Sequence, residues 1–393
     1  MGKNRLQQPR VRYAVCISFQ RATSQDLSTK NPEDKAFGTR SQKAAQLREP
    51  EPEILLNSCF HLERAHLKIL AKSCICTVKS LTMGWENQTF NSDFILLGIF
   101  DHSPFHTFLF TLVLAIFTVA CVGNTVMVLL ILLDAQLHTP MYFLLSQLSL
   151  MDLMLVCTTV PKMAVNFLSG RKSISLAGCG TQIFLYVSLI GAECFLLAAM
   201  AYDLYVAICH PLRYQVLMSQ KLCAIMAASS WILASFDGII DVAFVLTFSY
   251  CRSREIAQFF CDVPALLTLS CTDTKTFERM IFVCCVIMLL FPVVTISASY
   301  TRVLAVMQMG SGEGRRKAFA TCSSHLMVVG MYFGAAIFNY MRPTSEQSPT
   351  QNKMVSAFYT ILTPMLNPLI YSLRNREVSR AFMMLVGKVK SAP

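Results

Sequence analysis

Seven long apolar runs dominate this chain of 393 residues. Phe108–Leu133, Met280–Thr301, Ala318–Met341 and Met354–Leu373 carry no Asp, Glu, Lys or Arg. Pro140–Pro161 carries only Asp152, and Cys179–Tyr202 only Glu193. Leu222–Tyr250 carries Asp237 and Asp241. Each run reaches the roughly 20 residues that cross a bilayer as helix. In hydrocarbon every backbone polar group must be satisfied within its own segment, so such runs become helices. The expectation is an all-α membrane protein with spans at about 107–133, 140–162, 178–203, 221–250, 278–304, 317–341 and 353–373. Core helices of a large soluble protein would also be apolar. Seven of them joined by short polar gaps, with only 15% charged residues in the chain against about 25% in soluble domains, argue against that.

The remaining charge is uneven. Residues 1–82 hold 14 Lys/Arg and 7 Asp/Glu, so most of the chain's net +11 belongs to this arm. No basic stripe interleaved with aromatics follows it, so nucleic acid is not an expected partner. The arm is polar and lacks a charged n-region followed by an apolar h-region, so it reads as a disordered extension rather than a signal peptide. Met83 begins a natural alternative start, and 83–106 reads as an extracellular segment. Orientation follows from loop charge. The loops on the C-terminal side carry 11 Lys/Arg and those on the other side, from Met83 onward, carry 9. The contrast is sharper locally, since 83–107 has none and the tail after Leu373 has five. Asn87-Gln88-Thr89 is an N-glycosylation sequon that needs a lumenal N-terminus. The basic arm opposes export of the first span, but sequon and cysteine pattern both place the N-terminus outside and the tail in the cytosol.

Four strings carry a resemblance. They are Leu137-His138-Thr139-Pro140-Met141-Tyr142-Phe143, Met200-Ala201-Tyr202-Asp203-Leu204-Tyr205-Val206-Ala207-Ile208-Cys209-His210-Pro211, Lys317-Ala318-Phe319-Ala320-Thr321-Cys322-Ser323-Ser324-His325, and Pro364-Met365-Leu366-Asn367-Pro368-Leu369-Ile370-Tyr371. In this order and spacing the chain, over about 84–390, resembles the mammalian olfactory receptors, a branch of the rhodopsin-like G-protein-coupled receptors. The resemblance implies a rhodopsin-like seven-helix bundle in the plasma membrane. It implies binding of small volatile hydrophobic molecules and signalling through a stimulatory olfactory G protein to adenylate cyclase. It also implies that Asp203, Leu204 and Tyr205 occupy the coupling motif, where the family has Arg between Asp and Tyr. Leu can neither donate a hydrogen bond nor carry charge, so Asp203 is expected to lose its partner and coupling to suffer. A receptor-like protein that folds without signalling is therefore the alternative; a transporter or channel is a weaker one, because no repeated halves with matching broken helices occur. No nucleophile elbow, phosphate loop or H-E-x-x-H motif suggests an enzyme.

Individual residues extend these expectations. Cys251, Cys261 and Cys271 lie between the fourth and fifth runs, and Cys179 heads the third on the same side. Four thiols in an oxidising compartment read as two bridges, with three pairings open on spacing. The resemblance favours Cys179–Cys261 and Cys251–Cys271. Asp152 and Glu193 sit about 18 Å and 15 Å into their helices at 1.5 Å per residue, near mid-membrane. Acids there need a proton or a partner. With Asn124 and Asn367 nearby by family analogy, they suit a sodium ion as modulator or one shared proton, or else two separate protonated acids hydrogen-bonded to helix backbones. No other cofactor is expected. Asp237 and Asp241, four apart, share one helix face. They would favour a cationic odorant, or else meet loop cations and water. The ligand pocket is expected from Tyr186, Ile190, Cys284, Met288, Ile337, Tyr340 and Thr360, with Phe333 as a rotamer toggle beneath. Pro368 removes a backbone donor and suits a hinge, letting Tyr371 swing inward. Arg315, Arg316 and Lys317 would contact the G protein or anchor the sixth helix at the inner leaflet. The tail 374–393 suits a short amphipathic helix on that leaflet.

Overall fold

The computed structural model describes residues 94–99, 105–251, 253–309, 312–340, 348–374 and 376–390. Asn87 and the arm at 1–82 lie outside the described residues. Eight principal helices occur among those described: α1 (His106–Leu133), α2 (Pro140–Ser169), α3 (Leu176–Cys209), α4 (Gln220–Val245), α5 (Lys275–Met309), α6 (Gly312–Tyr340), α7 and α8 (Arg376–Lys390). α7 comprises Pro349–Ala357, a π-helical turn Phe358–Leu362 and Thr363–Arg374. Helices α1 to α5 are each long and apolar enough to cross a membrane. α6 contains the apolar stretch Cys322–Phe338 among the described residues. α7 is divided by its π turn.

Most helices outrun the expected spans. α2 continues past Pro161, which sits inside the helix rather than ending it. A proline interior to a helix removes one hydrogen bond without terminating it when neighbours hold the segment. α2 stops at Gly170, whose φ of 66° is the left-handed cap that glycine adopts without strain. Starts are set by short polar residues. The Ser175 hydroxyl accepts from the Gly178 N–H at the head of α3, and the Ser219 hydroxyl accepts from the Leu222 N–H at the head of α4.

α3 runs through the bundle and packs most extensively on α4. Glycine permits that approach. A Cβ on Gly238 would stand 2.6 Å from Ser188 Oγ and 3.0 Å from the Phe184 carbonyl oxygen, and one on Gly191 2.9 Å from Ala234 Cβ. Three hydrophobic clusters occur among the described residues, the smallest being Val206, Met218 and Cys223. The largest joins α1, α2, α3, α6 and α7 through Ile131, Leu144, Met151, Leu196 and Tyr332. The second lies at the α3 N-terminus and joins Cys179, Ile183, Val245, Ile256, Cys261 and Phe277.

That second cluster carries a small sheet in the order β2-β1-β3, formed by β1 (Phe94–Leu96), β2 (Ser173–Ile174) and β3 (Glu255–Ile256). β1 pairs antiparallel with β2, Phe94 opposite Ile174, and parallel with β3, Leu96 opposite Ile256. At the opposite end, α8 is tied to the bundle. The Tyr142 hydroxyl donates to Glu377 Oε2 (2.6 Å) and the Ser379 hydroxyl to the Ser372 carbonyl (2.7 Å). Val378 and Ala381 are buried while Phe382 and Met383 are exposed, a division that suits a helix lying on a membrane surface.

Candidate ligand cavity and transduction core

Disulfides join Cys179 to Cys261 and Cys251 to Cys271, with Cα atoms 5.4 Å and 5.8 Å apart. The first pins the segment following β3 onto the head of α3. Gln182 reinforces it: its side-chain oxygen accepts from the Cys261 N–H (2.9 Å) and its amide donates to the Thr158 carbonyl (3.0 Å). The chain leaving Cys261 therefore passes over the bundle and begins a helical turn, Val263–Leu267.

Beneath it lies a cavity of about 100 Å³ between α3, α4, α5 and α6. Of the residues proposed for the ligand pocket, Ile190 and Met288 line it. The other proposed pocket residues do not. Tyr186 is buried with its ring against Phe260 (centroids 4.7 Å apart). Thr360 is buried in the π turn and donates to the Ser356 carbonyl. Ile337 is 52% exposed on the outer face of α6, and the residue before it, Ala336, takes the inward position. Cys284 gives way to Cys285 in the same manner. A helix turns about 100° per residue, so an error of one position exchanges wall for lipid face. The Tyr340 side chain lies outside the described residues.

The cavity's polar groups are carboxyls. Asp237 and Asp241 of α4 both reach it, and so does Asp262, next to the bridged Cys261. Sequence reading placed the two α4 acids on one face but passed over Asp262, whose only signal was its adjacency to a cysteine expected to bridge. Burial pushes the Asp262 carboxyl up to about 7, with the Val263 backbone N–H pulling the other way.

Deeper in the bundle, Asp152 is fully buried and accepts twice from Asn367 Nδ2, at 3.1 and 2.9 Å. Glu193 Oε2 accepts from the Tyr359 hydroxyl at 3.1 Å, and the two carboxyls interact electrostatically. Asn124 donates to the Pro364 carbonyl (2.8 Å) and to the Ala120 carbonyl (2.9 Å). Helices α1, α2, α3 and α7 thus meet at one polar point, and the two acids are not separate groups bonded to helix backbones. Three oxygens there, Asn124 Oδ1, Glu193 Oε1 and Asn367 Oδ1, are buried without a hydrogen-bond partner.

At the far end of α3, Asp203 keeps a partner despite Leu204. The Tyr214 hydroxyl donates to Asp203 Oδ1 at 2.8 Å, which corrects the expectation of an orphaned acid. Leu204 is 6% exposed and belongs to the main core. The Tyr205 hydroxyl meets His210 Nε2 at 3.1 Å. Phe333 packs edge-on against Tyr332 (5.1 Å between centroids). Pro368 is interior to α7, and the Tyr371 hydroxyl nearby is buried without a partner. The side chains of Arg315, Arg316 and Lys317 lie outside the described ones.

A family model described as olfactory receptor matches residues 113–388. The chain belongs to the olfactory receptor family. It is 74% identical to human (Homo sapiens) Olfactory receptor 2M3 over 310 residues, covering 79% of this chain and 99% of that protein. Olfactory receptor 2M2 of Homo sapiens is 74% identical over 79% of this chain and 89% of its own length. Olfactory receptor 2V1 of Mus musculus is 59% identical over 76% of this chain and 95% of its own. The receptor is accordingly a multi-pass membrane protein with the seven-helix architecture of its family, and not an enzyme.

Proposed function

We propose that this receptor binds small, largely apolar odorants in the cavity between α3, α4, α5 and α6 and passes the signal to a stimulatory olfactory G protein and adenylate cyclase. The carrying observation is the cavity itself: lined by four helices, bordered by a loop fixed to α3 by Cys179–Cys261, and walled by Val187, Ile190, Met288 and Leu289. Apolar walls with a few placed polar groups are the usual make-up of small-molecule sites. The N-terminus faces outside and the tail the cytosol, a reading supported by the disulfides at the α3 head, by the basic tail and by the Asn87 sequon. The test is an odorant panel read by cyclic AMP, in cells where tags at each end report topology without permeabilisation. We expect an N-terminal tag alone to stain and at least one odorant to raise cyclic AMP; two tags on one side would remove the topology and the coupling scheme with it. Leu204 supports a second reading, a receptor that binds odorant without signalling.

We further propose that the mid-bundle point holds a sodium ion. The donor set fits: a carboxylate at Asp152 and three unpartnered oxygens on Asn124, Glu193 and Asn367, and hard cations take oxygen ligands. No group of three or more His, Cys, Asp or Glu placed to hold a metal ion occurs among the described residues, so amide oxygens must complete the set. Sodium titrated against potassium at constant ionic strength should raise the unfolding temperature of the purified receptor by a few degrees. Asp152→Asn should flatten the response; a response unchanged by that substitution would rule the site out.

A further inference from the structure

The cavity holds three acids and, among the described residues, no base. Asp237 and Asp241 enter from one face of α4 and Asp262 from the loop. Asp241 is 9% exposed, and no hydrogen-bond donor reaches it among the described residues; the charges it senses are those of Asp237 and Asp262. Two nearby donors are committed elsewhere. The Tyr332 hydroxyl is committed to the Ile190 carbonyl at 2.6 Å, and the Cys194 thiol donates to the Met288 carbonyl at 3.5 Å. Asp241 thus stands beside two further carboxyls, and bringing like charges together has a free-energy cost that an incoming cation removes.

We propose that the cavity selects small organic cations: a short apolar body carrying a protonated amine, held by Asp241 with Asp237 and Asp262 beside it. This rests on the odorant-cavity reading above and narrows it to a ligand class. Charge complementarity sets the head group, since an ammonium offers three donors and one positive charge to three acceptors. The aliphatic walls set the body and disfavour a bare metal ion, which would need oxygen or sulfur donors all round. The titratable groups facing these acids are Cys194 of α3, Cys284 and Cys285 of α5 and Tyr332 of α6. None becomes cationic, so none competes with the ligand. Because burial pushes the Asp262 carboxyl up to about 7, raising the pH through that range adds negative charge to the cavity while an alkylamine, of the Lys type, stays protonated up to about 10. Affinity for amines must therefore rise from pH 6 to pH 8, and affinity for neutral isosteres must not.

The experiment uses the full-length receptor in lipid nanodiscs. Its unfolding temperature is measured against n-alkylamines from butyl to octyl, alcohols of the same lengths, and calcium or zinc chloride. We expect the amines to stabilise it, with half-saturation falling as pH rises from 6 to 8, and Asp241→Asn to weaken this by about tenfold or more. Asp237→Asn and Asp262→Asn serve as second variants; each removes like-charge repulsion, so loss of folding is not the expected cause of a change. Stabilisation by alcohols at least as strong as by amines would overturn the cation preference and leave the odorant cavity standing. Stabilisation by the metal salts alone would overturn the organic class. A shift with amines that survives all three substitutions would place the binding elsewhere. No shift with either organic series would sink this proposal and the cavity reading together.

Discussion

Replacing Leu204 with Arg is expected to enlarge the odorant-evoked cyclic AMP response about three- to tenfold at matched surface expression. Leu204 lies five residues before the C-terminal end of α3 at Cys209, which is about 7.5 Å along the axis at 1.5 Å per residue. An arginine side chain spans that distance and can keep its stem against the core while its guanidinium reaches the aqueous end. Two acceptors are then in play. Asp203 already accepts from Tyr214 at 2.8 Å, and a carboxylate has lone pairs for a second, charge-assisted donor worth about 1.5–3 kcal/mol. That bond would steady the resting bundle, and when the helices part the freed guanidinium would present a cation to an acidic or carbonyl-rich partner surface. Leucine does neither. The control is Tyr214→Phe. In the present chain it should orphan Asp203 and lower thermal stability by about 1–3 kcal/mol, whereas in the Leu204→Arg background the new guanidinium should blunt the loss. Equal cyclic AMP signals from the two forms would show that coupling here does not run through this position.

The fold was legible where physics leaves one solution. A run of 26 uncharged residues such as Phe108–Leu133 has no stable alternative to helix in lipid, and α1 occupies His106–Leu133. What could not be read was settled by contacts between distant segments. β1, β2 and β3 have two or three residues each, too few for an alternating pattern, and exist because three loops meet over one cluster. Pro161 reads as a stop yet lies within α2. The polar point was visible, since carboxyls at matching depths in Pro140–Pro161 and Cys179–Tyr202 are costly enough to demand company; that Tyr359 is the donor to Glu193 was not, because it depends on the π turn in α7. The cavity was least legible. Ile190 and Met288 line it, whereas Ala336 and Cys285 do so in place of their neighbours Ile337 and Cys284, because a helix apolar on all sides carries no periodic sign of which face is inward.

Breaking the Cys179–Cys261 bridge is the other change with a large expected effect. The bond closes a loop of 82 residues, for which the chain-entropy model gives a contribution of about 4–5 kcal/mol. Cys179→Ser should therefore strip most receptor from the cell surface and lower the unfolding temperature of what remains. The second bond supplies the comparison. Cys251–Cys271 closes only 20 residues, about 3 kcal/mol on the same model, and its segment is already held by a backbone pairing of Tyr250 with Ser270 and by the Cys271 N–H donating to the Ser249 carbonyl at 2.9 Å. Cys251→Ser should cost distinctly less. The Cys261 segment is tied by the Gln182 oxygen on the Cys261 N–H and, upstream, by Gln258 Nε2 donating to Ser356 Oγ at 3.4 Å and by the β3 pairing, none of which holds the next residue, Asp262, in the cavity. Any receptor that reaches the surface as Cys179→Ser should thus show weakened ligand potency as well as lowered abundance, while Cys251→Ser should show abundance loss alone. A Cys179→Ser/Cys261→Ser double variant separates the missing bridge from a stray thiol. If it behaves like the parent in unfolding temperature and dose–response, the loop bordering the cavity is held by packing, and the route from that bridge to ligand recognition falls.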